Sequence, residues 1–236
     1  EGTRSPDCSI QRFHKGAFLL AQTLELDVVP VLIYGAGHVS SKRQGFYIKR
    51  GMAMTKILKR VAYGDTAFGS SYQEQAKAYR KYFKEQYAQL NSRYGRMSNP
   101  YFRNALIKNY MYKGPVLEWY MRVKMRLDGY YDMWDRILPR QGVITDVGCG
   151  YGQLAFALSI LSPERRVYGF DYDSEKIALA SHSFLAGGSV TFGHVDMRDC
   201  ELPESDAFVF NDSLHYAVGS AYVLMLMQHL KQEKSG

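Results

Sequence analysis

Val143-Ile144-Thr145-Asp146-Val147-Gly148-Cys149-Gly150-Tyr151-Gly152 is the stretch whose reading decides the fold. Residues 143–147 are a short apolar and β-branched run ending in a glycine cluster, the pattern of a buried parallel strand. Gly148, Gly150 and Gly152 predict a tight turn, and Gln153-Leu-Ala-Phe-Ala-Leu-Ser-Ile160 starts a helix with an apolar face. Nineteen residues past Gly152, a second strand, Arg166-Val-Tyr-Gly-Phe-Asp171, ends in a carboxylate. Strand, glycine turn, helix and acid-ended strand form a nucleoside-binding half-unit of an α/β fold. The turn lets backbone approach a ligand, and the acid accepts hydrogen bonds from ribose hydroxyls.

The glycine spacing discriminates between ligands. A dinucleotide fingerprint, G-x-G-x-x-G, needs glycine at position 153, which is Gln153. The pattern present, acid-x-G-x-G-x-G from Asp146, resembles motif I of class I S-adenosylmethionine-dependent methyltransferases. That resemblance implies a Rossmann-like sheet, of which strands 1–4 are visible, and S-adenosylmethionine as cofactor. It implies cofactor contacts from Gly148, Gly150 and Gly152, with Asp146 near the cofactor's amino group and Asp171 on both ribose hydroxyls. Tyr172 would lie on the adenine face. A third strand, 190–195, precedes Asp196 and Met197, placed by the resemblance at the adenine amino group and a ring nitrogen; otherwise Asp196 is an ordinary turn residue. Asp173 reads as the N-cap of a helix over 174–181. A fourth strand, 206–211, leads into Asn211-Asp-Ser-Leu-His-Tyr216, at the strand ends where α/β sheets bind ligands, so Asn211 joins the cofactor set. His215 is the candidate catalytic base, or else a loop histidine packed under the next helix. Methyl transfer needs chiefly in-line positioning, so a base is not required.

Charge is distributed unevenly in these 236 residues. Residues 1–66 carry ten Lys/Arg against five acids, residues 67–140 fourteen against six, and residues 141–236 six against twelve. The basic part favours an anionic membrane surface or a phosphorylated substrate. Nucleic acid is not expected: no nucleic-acid module is recognisable, and Asn211-Asp-Ser-Leu stands where a nucleic-acid methyltransferase carries an Asn/Asp-Pro-Pro-Tyr/Phe motif. Cys8, Cys149 and Cys200 have neither paired nor metal-ligand spacing, so no metal is expected and a reduced, cytoplasmic setting is.

Residues 1–66 read as a small α/β piece, with a helix from Phe13 and strands over 27–34 and 45–49. Glu1-Gly-Thr-Arg-Ser5, Lys15-Gly-Ala17 and Val29-Pro-Val31 resemble, in order, the later blocks of lysophosphatidate-type glycerol-phosphate acyltransferases. The resemblance implies that Gly2, Thr3 and Arg4 contact an acceptor phosphate, with Lys15 adding charge and Pro30 marking the final block. The family's catalytic block, a histidine and an aspartate four residues apart, has no counterpart: five positions beyond His14 and His38 stand Leu19 and Arg43. The segment therefore looks like the C-terminal part of an acyltransferase domain.

Residues 67–140 read as a helical connector and cap. Tyr72, Ala76, Tyr79, Phe83, Tyr87, Leu90 and Tyr94 recur at helical spacing after a Ser70-Ser71 cap and before Gly95. A second helix is expected over 102–112. A third starts at Pro115, with Val116, Trp119, Tyr120, Val123, Leu127, Tyr131 and Trp134 as its inward stripe, and closes at Pro139. Residues 112–120 are the candidate acceptor segment.

Residues 141–236 are then the S-adenosylmethionine-binding core, ending with an apolar helix over 222–230. A complete class I sheet has seven strands, so the chain reads as a fragment of a longer polypeptide. Its domain order is similar to that of bacterial fusion proteins found with polyene-lipid pigment pathways, which implies a hydrophobic or acyl-linked acceptor and a place at the inner membrane. The alternatives are a non-catalytic module that binds cofactor or membrane, and a longer polypeptide whose main activity is glycerolipid acyl transfer.

Overall fold

The computed structural model describes residue 5 and residues 8–40, 51–196 and 202–213. The chain divides into two compact units: Glu1–Gly95 with Asn99–Tyr101, and Arg96–Ser98 with Phe102–Gly236.

The first unit contains α1 (Gly16–Thr23), β1 (Val31–Tyr34), the single turn α2 (Ala36–Val39), β2 (Met54–Ile57) and α3 (Tyr72–Tyr94). β1 and β2 pair antiparallel, with Val31 opposite Ile57 and Tyr34 opposite Met54. The strand expected over 27–34 is shortened because Pro30 has no N–H to donate; before it only a bridge from Val28 to Val61 forms. β2 was not legible as a strand, and the strand expected over 45–49 lies outside the described residues. α3 starts in a capping box: the Glu74 N–H donates to Ser71 Oγ, and the Ser71 N–H donates to the Glu74 carboxylate. Its expected stripe is inward. Ala76 and Tyr79 pack with Phe18, and Leu90 packs with Leu32, Tyr34 and Leu58.

The second unit runs α4 (Pro100–Lys108), a 3-10 turn (Met111–Lys113), α5 (Pro115–Leu127), α6 (Tyr131–Ile137), β3 (Gly142–Val147), α7 (Gln153–Leu161), β4 (Arg165–Asp171), α8 (Ser174–Ser181), β5 (Val190–His194) and β6 (Ala207–Val209). Its strands form one parallel sheet in the order β5-β4-β3-β6. The chain steps outward from β3 through β4 to β5, then returns to place β6 on the other side of β3. Strand order therefore reverses at β3, where an open α/β sheet forms its ligand crevice. Ile144 to Val147 are buried, as are Leu154 to Leu158 on the covering helix α7.

Two expectations for the cap are corrected. The helix expected from Pro115 to Pro139 is two helices, because α5 ends at Asp128, whose backbone is extended, and Gly129 follows. The expected inward stripe of α5 is also the wrong face. Leu117, Met121 and Met125 enter the core, while Val116, Trp119 and Leu127 are 82%, 67% and 74% exposed. α5 carries two apolar stripes on opposite sides, and periodicity alone does not say which turns inward. The helix expected over 222–230 lies outside the described residues.

Candidate functional site: a cleft at the sheet's switch point

A cleft of about 490 Å³ opens at the carboxyl ends of β3 and β4, within the span of roughly 300–1,000 Å³ usual for small-molecule sites. The turn after β3 forms its floor. The N–H groups of Gly148 and Cys149 donate to the Phe170 carbonyl at 2.7 and 3.0 Å, which pins the turn to β4. Asp171, the last residue of β4, accepts the Gly150 N–H on Oδ2 at 2.7 Å and the Asp173 N–H on Oδ1 at 2.9 Å. Its carboxylate thus organises both loops at the cleft floor, and a carboxylate's further lone pairs are left for a ligand. Asp173 caps α8, accepting the Glu175 and Lys176 N–H groups.

The three glycines are used differently. All have positive φ, the left-handed region that an L side chain enters at a cost of roughly 1–2 kcal/mol. A Cβ at Gly148 would sit 2.2 Å from Ser213 Cβ, and one at Gly152 would sit 2.4 Å from the Phe192 ring. A Cβ at Gly150 meets nothing nearer than Gln153 Oε1 at 4.0 Å and enters open space. Gly150→Ala is therefore expected to keep the fold at a cost of about 1–2 kcal/mol, and Gly152→Ala to cost clearly more. Urea unfolding of the two variants checks that order; equal losses would mean Phe192 yields freely.

Asp146 is 2% exposed, and its Oδ2 has no hydrogen-bond partner. Burial, reinforced by the Asp171 charge and only partly offset by an N–H from Ala155, pushes its carboxyl up to about 7. Burial likewise pushes the Cys149 thiol well above its ordinary value, which removes it as a nucleophile near neutrality. A buried acid with an open lone pair at a cleft floor suits a cationic ligand group.

The structure gathers Asp146, Gly148, Gly150, Asp171, Tyr172 and Asn211 around this cleft. Gly152 lies behind the turn against Phe192, and Asp196, two residues past β5, does not line the cleft. Met197, His215, Gly2, Thr3 and Arg4 lie outside the described residues. Asn211 is held by the cap, accepting the Trp134 Nε1–H on Oδ1 at 3.1 Å, and Ser213 Oγ donates to the Val147 carbonyl at 2.6 Å.

Of the opposite wall, sequence reasoning reached Tyr120 and missed Lys124, Asp128 and Tyr130. Tyr120, Lys124 and Asp128 follow one another at steps of four along one side of α5 and line the cleft with Tyr130. Of the expected acceptor segment over 112–120, Tyr120 alone lines it. Lys124 Nζ lies 2.9 Å from Asp128 Oδ2, which also accepts the Tyr130 hydroxyl at 3.0 Å. Burial would lower the Lys124 ammonium, but its bond to Asp128, together with the charges of Asp128, Tyr130 and Tyr120, more than offsets this and raises it above its ordinary value. The i, i+4 spacing of these side chains was the available signal.

Residues 144–232 match the methyltransferase-domain family. This segment is similar to methyltransferase domains. No curated protein matches the chain. A methyltransferase of calicheamicin biosynthesis, solved with S-adenosylhomocysteine, is 22% identical over 42% of this chain and 30% of its own, with a TM-score of 0.34. A dimethyladenosine transferase from Plasmodium falciparum is 20% identical over 43% and 37%, with a TM-score of 0.35. Human N-acetylserotonin methyltransferase, solved with S-adenosylmethionine, is 14% identical over 84% and 55%, with a TM-score of 0.35. The chain thus spans less than two thirds of each of these structures.

Proposed function

We propose that the chain binds S-adenosylmethionine in the 490 Å³ cleft and transfers its methyl group to a hydrophobic or acyl-linked acceptor. The observation that carries the cofactor half is the pairing of two acids at the cleft floor: Asp171 at the mouth of the glycine turn, and buried Asp146 with an open Oδ2. When bound, S-adenosylmethionine supplies a methyl group activated on a sulfonium. Asp171 accepts the ribose hydroxyls, Tyr172 covers the adenine, and Asp146 receives the amino group. The Gly148–Gly150 turn brings backbone close enough for the ligand to pass over it. By the same resemblance Met197 would serve the adenine edge and His215 the acceptor's proton, whereas Asp196, which does not line the cleft, is left out of the contact set.

Asp146 gives this reading a pH signature. A cationic ligand prefers the ionised carboxylate, so binding below pH 7 must release the Asp146 proton. Affinity is expected to rise about tenfold from pH 6 to pH 8 and then level off, the share ionised for a group titrating near 7. Calorimetry in buffers of different ionisation enthalpy reads the proton release directly. The release should vanish in Asp146→Asn, and a flat affinity in the wild type would remove Asp146 from the site.

The acceptor class and the acyltransferase reading of residues 1–66 rest on the ordered blocks Glu1-Gly-Thr-Arg-Ser5, Lys15-Gly-Ala17 and Val29-Pro-Val31. In the first unit, Val31, Ile33 and Ile57 form an exposed apolar face of the β1–β2 pair, as in a sheet built to take another layer. Transfer of labelled methyl from S-adenosylmethionine into a lipid extract tests the acceptor class. Label appearing only in water-soluble acceptors would overturn it.

A further inference from the structure

The outer stripe of α5 is an apolar surface with a defined setting. Stepping about 100° per residue, the helix presents Arg122 and Arg126, then Trp119, Val123, Val116 and Leu127, then Tyr120 and Lys124, and finally the core face of Leu117, Met121 and Met125. Val116, Trp119 and Leu127 are among the most exposed large apolar side chains of the second unit. Residues 111–128 carry four basic side chains (Lys113, Arg122, Lys124 and Arg126) against two acids, Glu118 and Asp128, the latter paired with Lys124. Glu118 accepts from Arg122 across one turn, an exposed pair of small energetic weight. Phe184, 88% exposed, lies on a loop tied to the start of this segment: the Tyr112 hydroxyl donates to the Leu179 carbonyl, and the Leu185 N–H donates to Asn109 Oδ1.

We propose that this stripe docks on an anionic lipid bilayer, with Trp119, Val116 and Leu127 in the interface and Arg122 and Arg126 on lipid phosphates. A tryptophan and aliphatic residues bordered by arginines are the composition of helices that lie in the plane of a membrane surface. The flanking charge selects the occupant: a partner copy would bring the same arginines against these, whereas an anionic bilayer neutralises them. No helix among the described residues is long and apolar enough to cross a membrane, so the contact is one of lying on the surface. Resting on the proposed methyl transfer, the geometry has a consequence. Tyr120 and Lys124 border the stripe and also line the cleft, so a bilayer-resident acceptor would reach the cleft along this side of α5.

The test is co-sedimentation of the chain with phosphatidylcholine vesicles, with and without phosphatidylglycerol, alongside S-adenosylmethionine titration of the same samples. The wild type should sediment with the anionic vesicles only. Trp119→Ser with Leu127→Ser, and separately Arg122→Gln with Arg126→Gln, should each weaken partitioning at least tenfold while cofactor binding is retained, which also shows that the variants fold. The proposal is overturned if a folded, cofactor-binding wild type ignores anionic vesicles. Undiminished sedimentation of both variants overturns it too, by assigning the contact to other basic residues. A concentration-dependent dimer abolished by the serine variant, without vesicle binding, makes the stripe a contact between copies and overturns it as well. Vesicle binding with no cofactor binding would fault the cleft assignment and leave the surface standing.

Discussion

Asp135→Ala is expected to destabilise the second unit by about 3–5 kcal/mol, the cost of leaving one partner of a buried ion pair uncompensated. Asp135 on α6 and Arg165 at the start of β4 are both fully buried, with Arg165 Nη1 2.6 Å from Asp135 Oδ1. Arg165 donates further to the carbonyls of Pro139 at 2.7 Å, Leu158 at 3.1 Å, Asp135 at 3.1 Å and Leu138 at 3.2 Å. One guanidinium thus ties the cap helix α6, the entry to β3, helix α7 and β4 together. Removing Asp135 leaves that cation buried among carbonyls beside the Arg140 charge, without the carboxylate that paired with both. Arg140, which also donates to Asp135 but is partly exposed, should cost about 1 kcal/mol or less as alanine. Replacing the pair with Asp135→Leu and Arg165→Met should recover much of the loss. Urea unfolding of the three variants checks the order. A small loss in Asp135→Ala alone would mean that water reaches the pair.

Asp171→Ala is expected to weaken S-adenosylmethionine binding about 100-fold or more, roughly 3 kcal/mol, since each hydrogen bond to a charged group contributes about 1.5–3 kcal/mol. The variant loses the proposed ribose acceptor and also the acceptor for the Gly150 and Asp173 N–H groups, so the floor loosens as well. Asp171→Asn separates the two effects. Its amide oxygen can keep one backbone bond while the charge is gone, so its affinity should fall between wild type and alanine. Affinity equal to wild type in both variants would assign the ribose elsewhere.

Much of this was legible because β3 and its turn are governed by local chemistry. The apolar run over 143–147 ends where glycine alone tolerates the backbone, and Asp171 stands where a second strand must end. Helix α3 announced itself by a capping serine and a single apolar stripe. α5 did not, since Leu117, Met121 and Met125 compete with Val116, Trp119 and Leu127 for the inner face, and only packing decides between them. Arg165 and Asp135 stand thirty residues apart, and nothing in either neighbourhood predicts that they meet. The Tyr120–Lys124–Asp128 wall was visible as a spacing, but not as a surface facing the glycine turn.

The central claim is that the cleft at the switch point holds S-adenosylmethionine between Asp146 and Asp171. Calorimetric titration of S-adenosylmethionine into the folded chain at pH 8, with Asp171→Ala beside it, tests this most directly. The account predicts saturable binding at one site, lost or weakened about 100-fold in the variant. A folded wild type that takes up no S-adenosylmethionine, or a variant that binds it as tightly as the wild type, would contradict it.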